Sequence, residues 1–96
     1  PDIWLRRSFD LPKIPDEIEL RLFMHHDENV EVYLNGVLAS RSSGFSTDYR
    51  LVRMTPEARA ALKPGENVLA VHCHQTSGGQ YIDVGIAKIV PEPSAR

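Results

Sequence analysis

Two β-rich runs separated by a glycine turn constrain the fold of this 96-residue chain more than any other feature. The first run, residues 68–74, is dominated by β-branched and apolar residues and follows the turn signal Pro64-Gly65. The second run, residues 81–89, alternates large apolar residues with small or polar ones, which is the period of a half-buried strand. Both runs are therefore predicted to be strands.

The glycine turn between these two strands allows two connections. If Ser77-Gly78 forms a two-residue hairpin turn, His72 lies opposite Asp83 on the neighbouring strand. If the chain instead crosses between two sheets at these glycines, that opposition disappears. Under both connections, alternation places the same apolar set on the inward face: Leu69, Val71, Cys73, Ile82, Val84 and Ile86.

Alternation of apolar and polar residues predicts further strands along the rest of the chain. They lie at 3–9, 18–24, 30–34, 37–40 and 49–54. Asn35-Gly36 falls between two of these runs and is the strongest short hairpin signal in the chain. The sequence therefore predicts a tight β-hairpin at Asn35-Gly36.

The sequence predicts a single short helix, which Thr55 caps and Pro56 begins. Several short strands with frequent turns and one helix of about two turns indicate an all-β fold, an antiparallel β-sandwich. Residues 1–90 are predicted to form one domain. Residues 91–96 show no apolar periodicity and are predicted to be a linker or a disordered tail.

Composition excludes several classes of partner. A formal charge of −2 with a pI near 6.1 gives no basic patch, so no nucleic-acid partner is predicted. The sequence has no apolar run near 20 residues, so no membrane partner is predicted either. The single cysteine, Cys73, cannot form an internal disulfide and is expected to be a small buried hydrophobe. Because the chain starts at Pro1, we expect it to be a piece of a longer polypeptide.

Three ordered segments, residues 4–12, 27–36 and 62–71, carry a resemblance to a known family. Together they resemble the galactose-binding-like jelly-roll domain that accompanies catalytic domains in bacterial glycoside hydrolases, such as the sugar-binding domain of family 2 glycosidases. The resemblance implies a jelly-roll accessory domain and favours the crossing between two sheets over the hairpin. The segment from His72 to Tyr81 departs from the family's general pattern.

Polar side chains gather around the glycine turn within this departing segment. Contact with a ligand or a neighbouring domain is therefore expected at the following residues: His72, His74, Gln75, Gln80 and Tyr81. Phe45, in a loop rich in serine and glycine, is an exposed aromatic candidate for the same ligand-binding role. The competing interpretation is a self-satisfied network that only holds the turn. Trp4 and Tyr49 are expected to cover the second face of a sheet rather than to stack on a sugar.

The histidines and acids do not form a diagnostic metal or catalytic motif. His72 and His74 share one strand face, but their spacing is unspecific, and a hydrogen-bonded cluster with Asp83 or Tyr81 is favoured over a metal site. Nothing places the acids Asp27, Glu28 and Asp83 together as a glycosidase pair. No catalytic residue, metal site or cofactor is therefore predicted.

The resemblance and the absence of a catalytic motif imply a non-catalytic, carbohydrate-binding-like accessory domain. Its expected partners are a carbohydrate and the catalytic or other domain of a larger bacterial glycoside hydrolase or related protein, which is secreted or periplasmic. The alternative is a structural β-sandwich that contacts other domains or proteins and binds no sugar.

Overall fold

Antiparallel strands in two sheets make up most of the computed structural model, which describes residues 2–15, 18–26, 29–42, 50–74 and 82–89. The strands are β1 (Asp2–Leu11), β2 (Glu19–His26), β3 (Asn29–Leu34), β4 (Val37–Ser42), β5 (Arg50–Arg53), β6 (Gly65–His74) and β7 (Ile82–Ile89). One short helix, α1 (Pro56–Ala61), lies between β5 and β6. The predicted all-β class with one short helix is confirmed.

The two sheets differ in width. One has four strands in the order β1-β6-β3-β4, and the other has three in the order β5-β2-β7. Buried side chains from both sheets meet in one core, which includes Leu22 and Met24 from the narrow sheet and Val32, Leu34 and Val71 from the wide sheet. Each of these strands alternates inward and outward residues, as the sequence period predicts.

The predicted inward set around the glycine turn is confirmed where side chains are described. Leu69, Val71, Cys73 and Val84 are buried, and Ile86 packs against the core. The side chain of Ile82 lies outside the described residues. Cys73 is buried, as expected.

The hairpin connection between β6 and β7 is wrong, and the crossing between sheets is confirmed. β6 lies between β1 and β3 in the wide sheet, while β7 pairs with β2 in the narrow one. Because both edges of β6 are already hydrogen-bonded, no edge remains for β7. His72 therefore lies opposite Trp4 and Glu31, and Asp83 lies opposite His25.

The predicted hairpin at Asn35-Gly36 is confirmed. Leu34 pairs with Val37, so the loop has two residues, and both have positive φ angles, 51° at Asn35 and 84° at Gly36. A type I′ turn requires this left-handed backbone at both positions. The register shifts between Val32 and Tyr33, which places a bulge in the hairpin just before the turn.

Replacing Gly36 with valine is expected to destabilise the domain by about 1–3 kcal/mol, because a β-branched residue is strained at this φ. An added Cβ meets nothing within 4 Å, so the cost arises from the backbone and not from a clash. Urea denaturation measures the change. Gly36→Asn is the matched control and should cost less, since asparagine tolerates positive φ. An unchanged midpoint for Gly36→Val would show that the turn is misassigned.

Thr55 caps α1 and ties it to the wide sheet. Its hydroxyl oxygen accepts a hydrogen bond from the Ala58 backbone at 3.1 Å and donates one to the Leu38 carbonyl at 2.6 Å. Ala58 is fully buried against the core. The predicted cap and the first helical position at Pro56 are confirmed.

Residues 90–96, which include the predicted linker or tail, lie outside the described residues. Where the structure is described, no helix is both long enough and apolar enough to cross a membrane.

Candidate functional site

The outer face of the wide sheet carries a row of polar and aromatic side chains. In β6, buried Val71 and Cys73 point to the core, so His72 between them points outward. Strand pairing places Trp4 and Glu31 on either side of His72, and Arg41 beyond Glu31. This row crosses all four strands of the wide sheet.

Three rings of this face form an aromatic platform, which we define as Trp4, Tyr33 and His72. The indole of Trp4 stacks on the imidazole of His72, with centroids 4.4 Å apart and planes 15° apart. The ring of Tyr33 lies 6.0 Å from that of Trp4 at an angle of 32°. Trp4 nevertheless remains 58% exposed, so the platform presents a large aromatic surface to solvent.

Glu31 holds the platform from one side. Its Oε1 accepts a hydrogen bond from the Tyr33 hydroxyl at 3.1 Å, and Nδ1 of His72 lies 3.1 Å from the same oxygen. Its Oε2 accepts a hydrogen bond from Nε of Arg41 at 2.9 Å. Because an ionised carboxylate only accepts, Nδ1 of His72 is the protonated nitrogen in this contact.

These contacts keep Glu31 ionised. The hydrogen bonds from His72 and then Arg41 hold the pKa of Glu31 below its ordinary value of 4.5. Desolvation, followed by the hydrogen bond to Glu31, raises the pKa of Tyr33. Glu31 is therefore an anion with both oxygens engaged, and its role on this face is to position the neighbouring side chains.

A shallow depression lies next to the platform. Arg6, Ala70 and Tyr33 are opposite one another on β1, β6 and β3, one row away from Trp4 and His72. The small side chain of Ala70 between two large ones leaves an open volume of about 520 Å³, which Trp4 also lines. The depression is a suitable size for a small ring-shaped ligand.

The turn at Asn35-Gly36 borders this depression and is anchored to β6. The Asn35 amide donates to the Ala61 carbonyl and to Oδ1 of Asn67, both at 2.8 Å, and its oxygen accepts from the Val68 backbone at 2.7 Å. Two of the ordered segments described in the sequence analysis, residues 27–36 and 62–71, thus meet through their asparagines. Sequence reasoning did not pair these asparagines, because Asn35 lies in a turn and Asn67 lies 32 residues later in β6.

The structure brings one of the predicted site residues into this face. His72 is part of the platform, where it contacts Trp4 and Glu31. The side chains of Asp83 and Tyr81, its predicted partners, lie outside the described residues. The backbone of His74 lies two residues further along β6, opposite Asp2 and Asn29. Its side chain, together with the predicted residues Phe45, Gln75, Gln80 and Tyr81, lies outside the described residues.

Sequence reasoning missed the other members of the face. Trp4 lies on the second face of the sheet, as expected, but its 58% exposure corrects the expectation that it is packed there. Arg6, Glu31, Tyr33 and Arg41 were not singled out, because their proximity depends on strand order. Alternation placed Arg6 on the outer face of β1, and Glu31 and Tyr33 on the outer face of β3. It did not show that these two strands flank β6.

Within the described residues, no group of three or more His, Cys, Asp or Glu side chains is arranged to hold a metal ion. No family model, curated protein or solved structure matches this chain. A function is therefore inferred from the geometry of the outer face.

Proposed function

We propose that this chain is a non-catalytic carbohydrate-binding domain and that a sugar ring stacks on the aromatic platform. The observation that supports the proposal is the exposed indole of Trp4, which lies beside an open depression. The C–H face of a pyranose suits an aromatic surface, and nearby polar side chains orient its hydroxyl groups. Arg6 and Tyr33 supply such polar groups at the rim.

Preorganisation of the platform favours binding. Glu31 holds Tyr33 and His72 by hydrogen bonds, and His72 in turn stacks on Trp4. Side chains that are already ordered lose less conformational entropy when a ligand binds. Because both Glu31 oxygens accept hydrogen bonds from neighbouring side chains, Glu31 supports recognition rather than acid–base chemistry.

The proposed fold is the galactose-binding-like jelly roll. Among the described strands, the chain changes sheet at every connection except β3 to β4, and the late strand β6 lies between β1 and β3. Such crossings between two sheets are typical of jelly rolls. The parent protein is proposed to be a larger bacterial glycoside hydrolase or related protein, secreted or periplasmic, whose catalytic or other domain is the second partner.

A second candidate function is a structural domain that packs against a neighbour and binds no sugar. Phe23 and Leu51 lie opposite each other on the outer face of the narrow sheet and are 41% and 47% exposed. Paired large apolar side chains on an outer face are typical of protein contacts. This function needs no ligand at Trp4.

Trp4→Ala tests the proposal. An array of neutral and acidic glycans first identifies the glycan that the unaltered chain binds best, and calorimetry then measures its affinity. The variant is expected to bind this glycan at least about tenfold more weakly, a loss of about 1.4 kcal/mol of binding free energy. Because Trp4 is largely exposed, the melting temperature of the Trp4→Ala variant should differ little from that of the unaltered chain.

Phe23→Ala is the matched control, since it removes an exposed aromatic ring from the other sheet. Sugar binding that persists in Phe23→Ala and is lost in Trp4→Ala supports the proposal. If the unaltered chain binds no glycan, or if both variants bind equally well, the structural function is the better one.

A further inference from the structure

We propose that the sugar bound here carries a carboxylate, as a uronic acid does, and that Arg6 binds this carboxylate. The inference rests on the proposed function and specifies its ligand class. It follows from the position, the charge and the surroundings of Arg6 on the outer face of the wide sheet.

Arg6 lies where an acidic group on a stacked sugar is within reach. It follows Trp4 by two residues on β1 and so projects from the same face. It lines the depression together with Trp4 and Tyr33, and the small Ala70 separates it from Tyr33. A pyranose stacked on Trp4 beside the depression is therefore within reach of the Arg6 side chain.

No described residue compensates the charge of Arg6. Arg6 is exposed, and within the described residues neither a hydrogen bond nor an ion pair engages its side chain. Arg41, which lies opposite Glu31 on the same face, is already paired with Glu31 at 2.9 Å. Among the described residues that line the depression, Arg6 is therefore a cation without an ionic partner.

Two acidic residues further along the same face, Asp10 and Glu66, are too distant to neutralise Arg6. Asp10 follows it by four residues on β1 and lies opposite Glu66. Four residues of extended strand span about 13 Å. Exposed charges at that distance are largely screened, since the Debye length at physiological ionic strength is about 8 Å.

The chemistry of a guanidinium favours a carboxylate over a neutral hydroxyl group. Arginine presents planar donors that bind both oxygens of a carboxylate at once, and such charge-assisted bonds are stronger than neutral ones. In a uronic acid the carboxylate is attached at the ring edge. The ring can therefore stack on the indole while the carboxylate meets Arg6.

Matched ligands and variants test the inference. The probes are oligomers of galacturonic acid and of glucuronic acid, each as the free carboxylate and as the methyl ester, which keeps the ring and removes the charge. At least one carboxylate oligomer is expected to bind about tenfold more tightly than its ester. Arg6→Gln should abolish this preference, while Arg53→Gln, which removes an exposed arginine from the narrow sheet, should preserve it.

Each outcome decides a separate claim. If neutral glycans bind through Trp4 and neither carboxylate is preferred over its ester, the acidic ligand is excluded and the carbohydrate-binding function stands. If Arg53→Gln weakens binding as much as Arg6→Gln does, general charge attraction replaces the specific contact, and the inference is wrong. If a sulfated neutral oligomer binds more tightly than both uronates, the carboxylate assignment is also overturned. If no glycan binds at all, the proposed function fails first.

Discussion

Replacing Asn67 with alanine is expected to lower the free energy of unfolding by about 3 kcal/mol or more, because several buried hydrogen bonds are lost together. Asn67 is only 1% exposed, and its amide links the Asn35 turn to the start of β6 and the residue Lys63 before it. For a domain of this size such a loss is a large fraction of the total stability.

The amide of Asn67 uses both its donor and its acceptor groups. Its oxygen accepts from the Asn35 side chain at 2.8 Å and from the Lys63 backbone at 3.0 Å. Its nitrogen donates to the carbonyls of Lys63 at 2.8 Å and Gly65 at 3.0 Å. Alanine satisfies none of these groups, and the partners that stay buried then lack a hydrogen bond.

Urea denaturation of the variant and two companions measures this effect. Asn67→Asp keeps the shape but removes both amide donors and buries a charge, so it should be destabilising as well. Glu66→Gln is the control, since Glu66 is exposed and adjacent, and it should change stability by less than about 0.5 kcal/mol. One ordinary hydrogen bond contributes about 1 kcal/mol to stability. If Asn67→Ala lost less than about 1 kcal/mol, the network would not have the stabilising role described here.

Leu22→Ala is expected to destabilise the domain by about 2–5 kcal/mol, because it opens a cavity in the shared core. Leu22 is fully buried between the sheets, whereas its neighbour Phe23 points to the outer face of β2 and is 41% exposed. Phe23→Ala removes a larger side chain but leaves no enclosed cavity. It should cost less than about 1.5 kcal/mol.

Thermal and urea unfolding of the two variants compare the two faces of β2. The test is which variant loses more stability. Leucine is smaller than phenylalanine, so Leu22→Ala loses more stability than Phe23→Ala only if Leu22 is the inward residue. A greater loss in Phe23→Ala would mean that β2 presents its other face to the core and that the register is wrong.

Local patterns in the sequence were sufficient to locate most of the regular structure. Period-two alternation identified the strands and inward residues such as Leu69, Val71 and Val84. Asn35-Gly36 identified the hairpin because its turn needs positive φ at adjacent positions, and Thr55-Pro56 identified the helix start because a cap and a preset φ act within one turn. Each of these features depends on residues close together in the chain.

The candidate site depended on which strands are neighbours, which only the tertiary structure decided. His72 and Glu31 are 41 residues apart in sequence, and they meet because β6 lies beside β3. Alternation predicts the face of a side chain but not the strand beside it, so the sequence left open whether His72 lies opposite Asp83. Asn35 and Asn67 likewise meet across 32 residues. Strand order is set by how the whole chain buries its apolar faces and satisfies its backbone hydrogen bonds, and no short segment contains that information.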